Sequence, residues 1–304
     1  MSQTNRVLRK PNRQLALCAG LLLPALMALP GPAAAQRDLS GEWRALYHED
    51  RGERMPGPDV ADYLGVPINA QGRAKADSWM ASLHELQENQ CRPHPSDYAW
   101  RGPFNMRIWN EYDRYTQSLV AVHTHGQWQQ PEQTIWMDGR PHPPTAATHT
   151  WQGFSTGQWV GDKLHIVTDH LTEGWIRRNG LNRSDYTTVS THIMRHGDYL
   201  TVVVIDYDPV YLTEPFIRST DFALDPLQRI LSYPCESQVE TDHKPGTVPH
   251  YLPGTNPFLT EWAEAKGIPP EATRGGPETM YPEYIKAMEK MKKLPRSGRR
   301  PDAQ

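Results

Sequence analysis

Cysteine, phenylalanine and long apolar runs are all scarce in this chain. The cysteine spacing and the length of the apolar run each argue against a class of protein. Three cysteines and five phenylalanines occur in 304 residues. No Cys-x-x-Cys pair is present, which argues against a thiolate zinc site. No phosphate loop or dinucleotide fingerprint occurs, which argues against nucleotide-dependent chemistry. The longest apolar run, residues 15–29, is too short to cross a bilayer comfortably, so no membrane span is predicted.

Residues 1–35 are predicted to be an export signal. Four basic residues, from Arg6 to Arg13, precede the apolar run, and Ala33-Ala34-Ala35 is typical of a cleavage site. We therefore predict a periplasmic or secreted protein that begins near Gln36. Loss of four positive charges moves the formal net charge from −3 to about −7. Since no basic stripe is present either, the sequence argues against a nucleic-acid partner.

Export leaves two cysteines, Cys91 and Cys235. An even pair in an oxidising compartment predicts one disulfide, the alternative being two unpaired buried thiols. The closed loop is long, and the chain-entropy model then gives a stabilisation of roughly 4–5 kcal/mol.

The stretch from Thr134 to Leu224 predicts an antiparallel β-meander, because apolar and polar residues alternate along it. Gly161-Asp162 and Gly197-Asp198 are both typical of a two-residue hairpin turn with glycine first. A further strand is predicted over residues 215–224. These features make the fold mainly β.

The first of these turns fixes a register in which small residues lie between large ones on one face. That face carries Trp151, Gly153, Ser155, Gly157, Trp159, Leu164, Ile166, Thr168 and His170. Two interpretations stay open. The face lines a ligand cavity, or its small residues allow close packing against another element.

Outside the meander the pattern predicts a first strand near Trp43, helices and loops. The predicted organisation is a barrel domain over 36–240, a helical insert near 72–90 capped by Asn69, and a Pro-rich tail over 241–304. The tail is predicted to hold two short helices that pack on the barrel. Residues 292–304 are expected to be disordered.

Two sets of strings resemble known β-barrel families. Gly41-Glu42-Trp43 resembles the lipocalin Gly-x-Trp, and Gly157–Leu164 resembles hairpins of the wider calycin superfamily. Met137–Pro143, Trp151–Leu164 and Asp208-Pro209-x-Tyr211 are similar to strings in a large family of secreted bacterial proteins. The resemblance implies an antiparallel calycin-like barrel with short helical extensions. It implies no particular activity, since one fold serves many functions.

Candidate site residues cluster around the entry to the first hairpin. The candidate acid/base residues are His170, His149, His142 and Asp138. Asp138 either forms a turn with Gly139 or orients a histidine. The candidate ligand-binding residues are Trp151, Ser155, Trp159, Thr168, Arg140 and Arg178. The arginines are the candidates for holding an anion.

His123-x-His125 places two imidazoles on one face of a strand, a spacing that suits a metal ion. His142 or His149 is the candidate third ligand. The alternative is a pair of hydrogen-bonded histidines at a strand end. We favour that alternative, and the sequence predicts no bound metal and no cofactor.

The sequence therefore predicts an exported binder of a small apolar or aromatic molecule in a barrel cavity. Two alternatives stay open. One is an enzyme in the same cavity, a lyase, isomerase or hydrolase that uses a histidine with a carboxylate. The other is an interaction module of the cell envelope.

Overall fold

The computed structural model describes residues 37–46, 58–63, 65–101, 104–239, 244 and 246–291. The predicted export signal and the predicted disordered end, 292–304, lie outside the described residues. Within the described ranges, no helix combines the length and the apolar character that crossing a membrane requires.

Nine strands close into a barrel. They are β1 (Gly41–Leu46), β2 (Met106–Tyr112), β3 (Leu119–Gly126), β4 (Glu132–Trp136), β5 (Phe154–Val160), β6 (Lys163–Asp169), β9 (Thr188–His196), β10 (Tyr199–Tyr207) and β11 (Phe216–Leu224). Their order around the barrel is β1, β11, β10, β9, β6, β5, β4, β3, β2. Strands β7 (Gly174–Arg177) and β8 (Leu181–Arg183) form a separate two-stranded sheet. A mainly β barrel is thus confirmed.

The barrel is mixed, so the prediction of a purely antiparallel sheet is wrong. Strands β4 and β5 are parallel, with Ile135 opposite Ser155 and Trp136 opposite Thr156. Parallel neighbours need a connection that carries the chain back to its starting end, and residues 137–153 provide it. Lipocalins close with eight up-and-down strands. Nine strands and a parallel pair are a departure from that pattern.

Both predicted hairpins form. Gly161 and Gly197 have φ values of 64° and 61°, the left-handed conformation that a primed two-residue turn requires. The register that follows places Ser155 opposite Thr168, as predicted. Local turn chemistry is therefore sufficient to fix the β5–β6 and β9–β10 pairs.

The predicted register of the first hairpin is wrong beyond Phe154 and Asp169, where the ladder ends. Gly153 and His170 have φ values of 65° and 53°, so neither is extended. A Cβ atom on Gly153 would lie 2.4 Å from the Asp169 carbonyl oxygen. Gly153 is thus required for a close approach of two backbones.

Large side chains fill the barrel interior. Trp43, Trp100, Phe104 and Phe222 belong to one fully buried core cluster. Trp100 comes from helix α2 (Ser96–Arg101), and its ring packs edge-on against Phe222 at 6.3 Å. Buried aromatic side chains therefore occupy the barrel interior.

The small residues on the inner face of β5 make room for neighbouring side chains. A Cβ atom on Gly157 would lie 2.7 Å from Met137 Sδ and 2.9 Å from Ile135 Cγ2. Ser155 Oγ lies 2.8 Å from Thr168 Oγ1 and accepts a hydrogen bond of 2.9 Å from Gln133 Nε2. The geometry supports the close-packing interpretation of this face.

The helical insert is shorter than predicted. Helix α1 spans Ala70–Asp77, and the Asn69 side chain caps it by accepting from the Gly72 amide at 2.9 Å. The Ser78 hydroxyl donates to the Lys75 carbonyl at 2.7 Å where the helix ends. Two 3₁₀ turns follow it, at Ala81–Glu85 and Gln87–Asn89. Serine competes with the backbone for such bonds, so it favours a helix end.

The tail contains α3 (Glu261–Lys266), α4 (Pro270–Thr273), a 3₁₀ turn (Pro277–Met280) and α5 (Pro282–Met288). The first helix begins later than its predicted cap, Asn256, but it ends at Gly267 as predicted, with φ at 66°. Asn256 Nδ2 instead donates to the Asp77 carbonyl at 2.8 Å, which ties the tail to the end of α1.

The predicted disulfide is confirmed. Cys91 and Cys235 are bonded, with their Cα atoms 5.5 Å apart. The bond joins the segment before α2 to the segment after β11.

Candidate functional site

A pocket of about 530 Å³ lies where β5 extends past its parallel neighbour. Strand β4 ends at Trp136, whereas β5 continues to Val160. The segment that follows β4 borders the uncovered part of β5. The lining residues are Met137, Gly139, Arg140, Thr156, Gly157, Gln158, Trp159, His165 and Val167.

The pocket opens on the outer face of the barrel, although Gly157 and Trp159, which also line it, belong to the inner-face residues of β5. Side chains alternate along a strand, and Ser155, Leu164 and Ile166 are buried in the interior. Thr156 and His165, which line the pocket, are the neighbours that point outward. Outward-facing residues of β5 and β6 therefore supply part of this concave site.

Arg140 supplies a fixed positive charge to the pocket. Its guanidinium lies 3.4 Å from the centroid of the Trp136 ring, and its Nη2 lies 2.5 Å from Asp138 Oδ2. Hydrogen bonds from Arg140 hold the pKa of Asp138 below its usual range. In the part of the chain that the structure describes, the Asp138 side chain engages Nε and Nη2, so the two N–H groups of Nη1 are free to meet a ligand.

Trp159 and Met137 give the pocket its apolar part. The Trp159 Nε1 atom is buried and has no hydrogen-bond partner among the described residues. A buried indole N–H usually finds an acceptor. The pocket thus combines apolar surface with a cation.

A chain of polar contacts leads from the pocket into the segment before β5. His142 Nε2 lies 2.8 Å from Thr156 Oγ1, and His142 Nδ1 lies 2.8 Å from Asp169 Oδ1. The second contact has the length of an ion pair but is not collinear with the ring N–H, since Nδ1 makes no aligned hydrogen bond within the described ranges. Asp169 Oδ1 also lies 2.7 Å from His170 Nδ1.

His170 is held as a cation. Its Nδ1 faces the Asp169 carboxylate, and its Nε2 lies 3.0 Å from the Pro144 carbonyl oxygen. Both partners are acceptors, so both ring nitrogens must donate. The hydrogen bond to Asp169, helped by the Pro144 carbonyl, raises the pKa of His170 above 6.5 against the opposing effect of burial. The ring of His149 lies 5.2 Å from that of His170.

The three candidate histidines therefore lie together, but around a carboxylate that the sequence did not single out. His142 and His170 both contact Asp169 rather than Asp138. Asp138 is paired with Arg140, and its Oδ1 accepts from the Arg140 amide at 3.2 Å. This arrangement agrees with the interpretation of Asp138 as a turn residue.

The candidate ligand-binding residues divide between several places. Arg140 and Trp159 line the outer pocket. Ser155 and Thr168 lie in the barrel interior, each 1% exposed. The remaining two pack elsewhere, with Trp151 beneath the Arg92 guanidinium at 5.0 Å and Arg178 over the Trp175 ring at 5.9 Å.

Thr156 is a polar residue that sequence reasoning missed, although a signal existed. Residues Gly153 to Gly157 spell Gly-x-Ser-x-Gly, a string that in some hydrolases marks an exposed serine on a strand–helix turn. Here the string lies on a strand, and Ser155 faces the interior. Thr156, the next residue, points outward to His142.

His123 and His125 make separate contacts. His123 Nε2 lies 2.7 Å from Glu111 Oε2, and His123 Nδ1 lies 3.2 Å from Thr134 Oγ1. His125 Nδ1 lies 3.9 Å from Glu132 Oε2. A search of the described residues finds no group of three or more His, Cys, Asp or Glu side chains arranged to hold a metal ion.

A second group of charges, which we call the buried charge cluster, lies inside the protein. It comprises Asp97, Arg101, Arg183, Asp206 and Asp208. Arg183 Nη2 donates to Asp97 Oδ1 at 2.9 Å, and both side chains are fully buried. Asp208 accepts from the Ser184 amide at 2.6 Å and from its hydroxyl at 2.7 Å.

Asp206 is the unusual member of this cluster. Neither of its carboxyl oxygens has a hydrogen-bond partner among the residues that the structure describes. Burial, reinforced by the nearby Asp97 carboxylate, raises the pKa of Asp206 from 3.8 to about 7. A buried carboxyl without donors is more stable as the neutral acid.

The chain was compared with family models, curated proteins and solved structures. No family model matches the chain, and no curated protein matches it. Among solved structures, the chain is similar to the fluorescent protein UnaG, wild type, with 9% identity and a TM-score of 0.27. The match covers 62% of this chain and 97% of that one. At this level of similarity, the description of the barrel depends on the strand order of the chain itself.

Proposed function

We propose that this protein is an exported binder of a small anion with an apolar body, held in the outer pocket. The Arg140 guanidinium, fixed over Trp136 at the edge of a pocket of about 530 Å³, is the observation that carries the proposal. Pockets for small molecules typically measure about 300–1,000 Å³ and combine apolar walls with a few polar groups.

The chemistry of the pocket favours an anion over a neutral or cationic molecule. Arg140 offers the two N–H groups of Nη1, which suit a carboxylate or sulfonate. Trp159 and Met137 offer apolar surface to an aromatic or aliphatic body. Export is supported by the leader-like residues 1–35 and by the Cys91–Cys235 disulfide, a bond typical of oxidising compartments.

Binding of anilinonaphthalene sulfonate, an aromatic anion that fluoresces on leaving water, tests the proposal. The Arg140→Ala variant should bind it about 10- to 100-fold more weakly, the usual effect of losing a charged hydrogen bond. Arg178→Ala is the matched control, because Arg178 is exposed and stacks on Trp175 outside the pocket. Equal binding by both variants would place the probe elsewhere and contradict the proposal.

A native preparation from the source cells then identifies the natural ligand by mass spectrometry of co-purifying molecules. A co-purifying anion that Arg140→Ala releases and Arg178→Ala retains would be the expected result. The interaction-module alternative stays a prediction, and a partner protein captured equally by both variants would favour it.

A further inference from the structure

We propose that the outer pocket is also catalytic, with Thr156, His142 and Asp169 acting as nucleophile, base and orienting carboxylate in the hydrolysis of a small anionic ester. The inference rests on the proposed function, because Arg140 would hold the anionic group of the substrate. The two contacts of 2.8 Å, from His142 Nε2 to Thr156 Oγ1 and from His142 Nδ1 to Asp169 Oδ1, carry it.

The three groups stand in the order that nucleophilic catalysis needs. The two ring nitrogens of His142 link a hydroxyl on one side to a carboxylate on the other. The Asp169 carboxylate makes no aligned hydrogen bond to Nδ1, but its negative charge 2.8 Å away favours a proton on that nitrogen. Nε2 is then left as an acceptor for the Thr156 hydroxyl. The same constellation occurs on unrelated folds and is identified by geometry, not by position in the sequence.

The surroundings hold the base and the carboxylate in place. His142 lies between Pro141 and Pro143, and its ring meets the edge of Phe154 at 5.1 Å. The His170 cation anchors Asp169 and is itself anchored by the Pro144 carbonyl. His170 is therefore a positioning residue, since both of its ring nitrogens are occupied.

Thr156 differs from a similar triplet on the same face of the barrel. Thr134, His123 and Glu111 also form a hydroxyl–imidazole–carboxylate series, with contacts of 3.2 Å and 2.7 Å. Thr156 is among the residues that line the outer pocket, whereas Thr134 is not. A substrate held by Arg140 would thus meet Thr156 and not Thr134.

The proposed reaction is acyl transfer to water in two steps. The Thr156 oxygen attacks the ester carbonyl, its proton passes to His142 Nε2, and the leaving alcohol takes that proton as the ester C–O bond breaks. Water then attacks the acyl-threonine, giving one proton to His142 Nε2. The acid leaves, and Thr156 Oγ1 recovers the proton from His142. No oxidant, reductant or other reactant is needed.

Hydrolysis of the 4-nitrophenyl monoester of succinate, which carries one free carboxylate, tests the proposal. The wild-type protein should release nitrophenolate faster than buffer does. Thr156→Val and His142→Gln should each lose about 100-fold or more of that rate. Thr156→Ser should retain activity, and Thr134→Val is the matched control that should leave the rate unchanged. Mass spectrometry should find a succinyl group on the peptide that contains Thr156.

Binding of anilinonaphthalene sulfonate separates this proposal from the proposed function. Thr156→Val should bind the probe within about twofold of wild type, because the substitution preserves the shape of the side chain. Probe binding without ester hydrolysis by the wild type would overturn the triad and leave the binding function standing. Loss of both properties in Thr156→Val would make Thr156 a binding residue and also overturn the triad.

Discussion

The outer pocket and the buried charge cluster both place carboxylates beside cations, but they differ in solvent and in the kind of cation. Beside the pocket, Asp169 meets the imidazoles of His142 and His170, and its side chain is 30% exposed. In the cluster, Asp97 meets the guanidinium of Arg183, and neither side chain is exposed to solvent. One arrangement is accessible to solvent, whereas the other is sealed.

The difference separates a site that can do chemistry from one that determines stability. An imidazole gains and loses a proton near neutral pH, so it can pass a proton between a hydroxyl and a ligand. A guanidinium stays charged, so it can only balance a neighbouring carboxylate. The packed interior also shows that the concave site of this barrel is outside it, beside the short parallel pair of strands.

Removal of the buried cation should have the largest effect. Arg183→Met keeps much of the side-chain volume but removes the hydrogen-bonded cation of Asp97 and leaves Arg101, 3.9 Å away, to balance its charge. We expect the free energy of unfolding to fall by about 3–5 kcal/mol, measured by urea denaturation. Arg140→Met, which breaks an exposed pair, should lower the free energy of unfolding much less. If the two variants lost similar amounts of unfolding free energy, the buried cluster would be no more important for stability than the exposed pair.

Replacement of Asp206 should change how stability depends on pH. The pKa of Asp206 is about 7 in the folded protein, whereas an ordinary aspartate, as in the unfolded chain, has a pKa of 3.8. Between these two pH values the folded state therefore holds a proton that the unfolded state has lost. The contribution of Asp206 to stability is therefore complete below pH 4, and it is lost as the pH rises to about 7. The free energy should fall by about 1.4 kcal/mol per pH unit across that window.

Urea denaturation at several pH values measures this effect as the difference between wild type and Asp206→Asn. The difference between the two curves should change across the window and level off above it. A constant difference from pH 4 to pH 8 would show that the pKa of Asp206 is not raised by burial. The buried charge cluster would then not differ from the outer pocket in this respect.

The sequence predicted the parts of this molecule that depend on neighbouring residues. The hairpin at Gly161 follows from two turn residues, and the disulfide follows from the count of two cysteines that remain after the predicted export signal. The parallel pairing at Ile135 was missed because it depends on the path of residues 137–153, for which no local rule exists. Trp100 was likewise not predicted to fill the barrel, because α2 is distant in sequence from the strands it meets.

The same limit explains the partly predicted site. His142, His149 and His170 were chosen for their residue type, and they do lie close together. Asp169 was placed on the polar face and passed over, since the sequence does not show that the segment around His142 folds back onto that face. Arg183 and Asp206 were missed for a related reason, because a charged residue in a strand is usually exposed.

The smallest expected effect concerns the charge on His170. If the Asp169 carboxylate raises the pKa of His170, then Asp169→Asn should lower it, as read from the imidazole signals in an NMR titration. The stabilisation from this pair is complete below pH 6.5 and is lost as the pH rises through the folded pKa. Asp169→Asn should therefore destabilise the protein more at pH 6 than at pH 9. In His170→Gln the same substitution should lose most of this pH dependence, because the remaining imidazole, that of His142, makes no aligned hydrogen bond to Asp169. An unchanged titration of His170 in Asp169→Asn would mean that the Pro144 carbonyl alone holds the ring, and the outer pocket would then lack the fixed carboxylate that distinguishes it from the sealed cluster.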